Sequence, residues 1–151
     1  MDFSRLRLSH SELLRLLSTQ TECTLSWLNP EGWPVAAVQT FVWHDDALWV
    51  TSFRDRPRVS LLAREPRSAV TVSSMGTPLE AQQMASARTV ATVHDDESSA
   101  RWFYPIFSQR VISDRTGARA MARALAEQDR VIIELRPQSW NTFRGARIRA
   151  G

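Results

Sequence analysis

The chain contains no lysine; all 19 of its basic residues are arginine. Any anion site must therefore use arginine forks, backbone amides or hydroxyls, and a phosphate loop ending in lysine is excluded. Cys23 is the only cysteine, which rules out an internal disulfide framework and a cysteine-based metal site. Five glycines leave no glycine-rich nucleotide loop, and neither G-x-G-x-x-G nor the nucleophile elbow G-x-S-x-G occurs. The three histidines, His10, His44 and His94, lack metal-ligand spacing. His10 falls on a helix end, and the other two each precede an Asp-Asp pair and read as exposed turn residues. No apolar run approaches the length of a membrane span and no signal core opens the chain, so a cytoplasmic location without a membrane partner is expected. The arginines are spread among 16 acids for a net charge of +3, without a dense basic block, which speaks against nucleic acid as a partner. Asp45-Asp46 and Asp95-Asp96 read as solvated turns, because adjacent turn residues point apart. With so few nucleophiles and bases, a cofactor is the natural carrier of any chemistry.

What is present suffices for one domain. The length is 151 residues and 43% are hydrophobic, enough for a core. Ser9 and Glu12 form a capping box, and Leu13, Leu14, Leu16 and Leu17 follow on one helical face to about Thr19. Strand patterns cover Thr21–Leu28, Val35–Trp43, Ala47–Phe53, Ser68–Ser74, Met84–Val93 (interrupted by Arg88) and Val131–Leu135, the last ended by Pro137. Asn29-Pro30-Glu31-Gly32 and His44-Asp45-Asp46 are turns of hairpin length. Helical stretches run from Pro57 to Pro66, from Asp95 or Asp96 to about Pro105, and from Thr116 or Gly117 onward; Ser139–Gly151 shows little periodicity. Six short strands in hairpins predict a β-rich α+β fold, a six-stranded antiparallel split β-barrel flanked by short helices.

The stretch from Trp33 to Pro66 carries the densest chemistry. Arg54, Arg56 and Arg58 crowd the exit of a strand that ends in Thr51 and Ser52, beside a helix opened by Pro57. Such a group of guanidiniums and hydroxyls at a helix start suits a phosphate; it is equally the composition of a solvated basic loop.

Leu48-Trp49-Val50-Thr51-Ser52, then Arg56-Pro57-Arg58, then Leu61-Leu62-Ala63-Arg64-Glu65-Pro66-Arg67 and Ala69–Val72 resemble the pyridoxamine 5'-phosphate oxidase-like family of flavin-binding split barrels. The likeness spans about residues 10–140 and is specific only in its central third. It implies FMN bound at a homodimer interface. Arg58, eight residues before Pro66, takes the place of the family's phosphate-binding Lys or Arg, and Thr51 that of a hydroxyl on the same phosphate. Ser52 and Arg56 join that group, the backbone of Val38, Gln39 and Thr40 would face the flavin ring, and Trp102, Trp140 and Arg144 stand by position where a second subunit closes the site. The implied activity is a flavin-dependent oxidoreductase moving hydride to or from a small organic substrate. A reductase using the deazaflavin coenzyme F420, or a non-catalytic flavin- or haem-binding module, is the alternative. Three departures qualify the resemblance: no cation on Gln39-Thr40-Phe41, Arg88 and Thr89 where a glycine is frequent, and no Arg-x-His-type sequence in Asn141–Gly151. The last speaks against pyridoxamine phosphate oxidation itself.

Overall fold

The computed structural model describes residues 6–80 and 82–145. Expectations for the chain's first five residues and its last six lie outside that range. Helix α1 (His10–Thr19) begins as its capping box requires: the Glu12 N–H donates to the Ser9 hydroxyl at 3.2 Å, and the Ser9 N–H to the Glu12 carboxylate at 2.7 Å. Its Leu13, Leu16 and Leu17 are buried.

The strands are β1 (Glu22–Leu28), β2 (Pro34–Thr40), β3 (Val42–His44), β4 (Ala47–Phe53), β5 (Arg67–Ser73), β6 (Gln83–His94) and β7 (Arg130–Arg144). They form one antiparallel sheet in the order β2-β1-β5-β6-β7-β4-β3. Among the described residues seven strands stand where six were expected, because the pattern Val35–Trp43 divides at Phe41. Its first part pairs with β1 and its last part with β4, at opposite edges of the sheet. Thr40 and Val42 are at most about 7 Å apart, being two residues apart in the chain. The two edges must therefore meet there, and the sheet curls into a split barrel. Phe41 is fully buried at the crossing, and its N–H donates to the Thr21 carbonyl at 3.0 Å.

The β3–β4 hairpin turns through Asp45 and Asp46, with φ of 49° and 55°. Both values are positive, as a two-residue type I′ turn demands, and a short polar side chain tolerates them.

Two prolines read as terminators do not terminate. β7 passes through Pro137 to Arg144, so the sequence from Ser139 to Arg144 is strand. Thr89 pairs with Pro137 and Arg88 with Ser139, leaving Gln138 as an extra residue in a bulge, the one place in a sheet interior where a missing N–H does little harm. Arg88, the interruption seen in the sequence, is that bulge's partner. Helix α3 (Glu97–Val111), capped by Asp96, likewise continues past an exposed Pro105. Phe103 and Tyr104 before the proline and Phe107 after it are all buried, and that shared face outweighs one lost hydrogen bond. Helix α4 (Arg115–Glu127) follows, with Asp114 accepting from the Gly117 N–H at 2.7 Å.

β4 is buried on both faces up to Ser52, and its alternation divides two cores. Leu48 and Val50 join Leu16, Leu17, Leu25, Phe41, Val70, Ile133 and Leu135 inside the barrel. Ala47 and Trp49 face outward to Phe103, Tyr104, Phe107 and Leu125 of α3 and α4. Cys23 lies in the barrel core, where burial pushes its thiol up to about 12. The native protein should therefore be inert to Ellman's reagent at pH 8 and react fully once unfolded in urea; prompt reaction in the native state would contradict this placement. Among the described residues no helix is long and apolar enough to cross a membrane.

Candidate functional site

β4 delivers Thr51 and Ser52 to the same strand end but, by the period of two, to opposite faces. Ser52 follows Val50 to the barrel side, and Thr51 follows Trp49 to the helix side. Helix α2 (Pro57–Arg64) starts just beyond, with Pro57 preset for its first position and Val59 and Leu62 buried beneath it. This anchoring sets Arg58 over the strand end. Its Nε donates to the Ser52 hydroxyl at 3.1 Å, and its guanidinium lies 5.9 Å from the centre of the Trp27 ring. Burial, then repulsion from Arg56, hold the Arg58 guanidinium below its usual pKa, although an arginine stays charged.

Thr51 has a different cation. Its hydroxyl donates to the Val131 carbonyl at 2.9 Å and accepts from Arg130 Nε at 3.2 Å. Arg130 opens β7 opposite Phe53, and its guanidinium packs 4.2 Å from that ring's centre. Burial pushes Arg130 below its usual pKa; the nearby Tyr104 works the other way and repulsion from Arg58 adds to the fall. Among the described residues, neither Arg58 nor Arg130 is ion-paired to a carboxylate. The expected trio thus separates. Arg54 is taken up by Asp129 at 2.8 Å and Asp95 at 3.2 Å, Arg56 stands exposed, and Arg58 alone is half-buried and acid-free. Arg130 was missed by the sequence reading. Its only signal is an arginine abutting the apolar run from Val131, at the register of Phe53.

The backbone of Val38, Gln39 and Thr40 lies on β2, which among the described residues pairs with β1 alone. Trp27 pairs with Val35, so Val38 stands about 10 Å and Thr40 about 17 Å further along this edge from the ring under Arg58. Val38 is 63% exposed, and the Gln39 amide donates to the Val38 carbonyl at 2.7 Å.

No family model matches the sequence, and no curated protein matches it. Solved structures do. A conserved hypothetical protein from Mycobacterium tuberculosis superposes with a TM-score of 0.81 at 15% identity, over 92% of this chain and 86% of its own. A candidate pyridoxamine 5'-phosphate oxidase from Listeria innocua gives 0.66 at 17% identity, over 87% and 95%. An F420 reductase gives 0.64 at 24% identity, over 84% and 94%. The chain has the split-barrel fold of the pyridoxamine 5'-phosphate oxidase-like proteins.

Within this split barrel the two tryptophans assigned to the site are half-buried, and each contacts aromatic rings of this chain. Trp102 stands edge-on to Trp49 at 4.9 Å and against His44 at 4.4 Å, on the α3 side. Trp140 meets Trp43 edge-on at 6.3 Å beside the barrel core. Arg144 is ion-paired to the capping-box residue Glu12. His94 is not the exposed turn residue its Asp-Asp context suggested. It ends β6, half-buried, with its ring 5.3 Å from that of Trp49, its Nε2 3.9 Å from the Glu134 carboxylate and without a hydrogen bond. The cause is β6 running one residue further than its apolar pattern. His94, Tyr104 and Arg130 line a cleft of about 360 Å³ on the helix side of the barrel. Among the described residues no group of three or more His, Cys, Asp or Glu is placed to hold a metal ion.

Proposed function

We propose that this split barrel is a flavin-dependent oxidoreductase that binds FMN at a homodimer interface and transfers hydride to or from a small organic substrate. The observation that carries the reading is the pair Arg58 and Arg130. Each is half-buried, each is set on a hydroxyl at the end of β4 and packed on an aromatic ring, and neither has a carboxylate partner. Desolvating a cation is costly unless a counter-charge compensates, and an anionic ligand supplies one. A terminal phosphate monoester carries nearly two charges at neutral pH, which matches two guanidiniums better than the single charge of a diester. This favours FMN over the deazaflavin coenzyme F420, whose phosphate is a diester. Arg58 with Ser52, and Arg130 positioned by Thr51 on the other side of the strand end, would hold the phosphate between them, and the free edge of β2 at Val38–Thr40 would offer backbone donors and acceptors to the ring. The bound flavin supplies the hydride chemistry that the side chains lack. Leu28, Trp33 and Val38, 55%, 70% and 63% exposed on the β1–β2 hairpin, are apolar surface that a second subunit would cover.

Titration of purified protein with FMN, riboflavin and the deazaflavin tests this directly. FMN should bind most tightly, by well over tenfold, and its affinity should fall as pH drops through about 6, where the phosphate loses its second charge. Riboflavin binding as well as FMN would remove the phosphate site. Protein that neither colours nor quenches flavin fluorescence would end the flavin reading altogether. Reduced, flavin-loaded protein that reoxidises no faster than free flavin with any acceptor would make it a carrier, not an enzyme.

A further inference from the structure

Helices α3 and α4 form a hairpin on the outside of the barrel, and the face they turn to solvent is a groove. Its floor is Pro105, Ala118 and Ala122, and its volume is about 480 Å³. Along one wall stand Arg115, Arg119 and Arg123, at i, i+4 and i+8 of α4, which puts three guanidiniums in a stripe about 12 Å long. All three are exposed. Among the described residues none is ion-paired or hydrogen-bonded through its side chain, whereas Arg54, Arg67, Arg101, Arg136 and Arg144 all pair with acids. The opposite wall, from α3, offers the neutral Gln109. Ala118 and Ala122, three residues after Arg115 and Arg119 respectively on the groove side of α4, are small, so no bulky side chain of α4 fills the space beside the arginines.

We propose that this groove docks an acidic amphipathic helix of a partner protein, one carrying Glu or Asp at i, i+4 and i+8 beside small apolar residues. A helix matches the stripe in period, because successive acids on it also recur about every 6 Å. It also covers the apolar floor, as a third helix laid against a helical pair does. A nucleic-acid strand would meet the arginines but leave Pro105, Ala118 and Ala122 uncovered by apolar contact. A flat lipid surface would not follow a concave floor. This surface is separate from the Arg58–Arg130 site and does not depend on its ligand.

The test uses the full-length protein and a fluorescent peptide of about four helical turns, with Glu at i, i+4 and i+8 and Ala or Leu on the adjoining face. A scrambled peptide of the same composition serves as the control. Fluorescence anisotropy should show the patterned peptide binding about tenfold or more tightly than the scrambled one. Arg119→Glu should reduce patterned binding by about tenfold or more without changing the thermal midpoint. The triple variant Arg115→Ala, Arg119→Ala, Arg123→Ala should abolish the difference between the two peptides. Equal binding of the two peptides to the native protein, or patterned binding unchanged in Arg119→Glu, would overturn the proposal and leave a solvated basic face. So would tighter binding of phosphatidylserine vesicles or single-stranded oligonucleotide than of the patterned peptide.

Discussion

Alanine in place of Arg58 is expected to weaken FMN binding by about 1.5–3 kcal/mol, roughly ten- to a hundredfold, with the fold intact. The chain has no lysine, and β2 carries no cation that could replace the lost charge. Arg130→Ala should produce a loss of the same order, measured by calorimetric titration. If both guanidiniums grip one phosphate together, the double variant should lose less than the two single losses combined, because removing either one already loosens the grip of the other. Arg67 is the control. It is exposed and held by Glu65 at 2.7 Å, so Arg67→Ala should change the affinity little. The ligand-free variants add a second reading. A half-buried guanidinium without a carboxylate partner does little for the empty protein, so Arg58→Ala should leave its thermal midpoint unchanged or slightly raised. Equal losses at Arg58 and Arg67 would mean a diffuse basic surface. A protein that binds FMN as well without Arg58 as with it would place the phosphate elsewhere.

The strand end that carries these residues was legible because its parts are local. A buried strand, two hydroxyls, a proline and a helix start follow one another within 14 residues, Ala47–Ser60, and their types dictate their conformations. Which hydroxyl meets which cation was not legible. Thr51 and Ser52 are neighbours in sequence and face opposite sides of β4, so Arg58 reaches Ser52 and not Thr51. Arg130 is 79 residues from Thr51, and no local pattern joins them; the β4–β7 register does. The same limit explains the strand count. The stretch from Val35 to Trp43 reads as one run of strand-favouring residues without a turn signal, and it cannot record that the strand changes neighbours at Phe41. The prolines misled for the converse reason. Pro105 and Pro137 are poor for helix and strand locally, but the buried faces on both sides of them are continuous, and packing decided.

Phe41→Ala should be the most destabilising single substitution of a barrel side chain, at about 3–5 kcal/mol, a large share of the roughly 5–15 kcal/mol that holds a domain together. The ring has no exposed surface and lies where the sheet's two edges meet. Its neighbourhood leaves little room for relaxation. The backbone is tied to the Thr21 carbonyl, and Arg110 lies over the ring at 5.8 Å while its Nη groups donate to the carbonyls of Ser18, at 3.1 Å, and Gln20. Those bonds finish the C-terminal end of α1, so a cavity at Phe41 removes contacts from the barrel, α1 and the end of α3 together. Phe53, 41% exposed at the end of β4, is the comparison, and Phe53→Ala should cost much less in the ligand-free protein. Phe41→Leu keeps most of the volume and should cost about 1.5 kcal/mol. Urea unfolding followed by tryptophan fluorescence gives these differences, provided the slope with denaturant stays constant. A loss below about 1 kcal/mol for Phe41→Ala would mean that the site collapses around the missing ring, and that the barrel is held shut by its strand pairing and not by the side chain at the crossing.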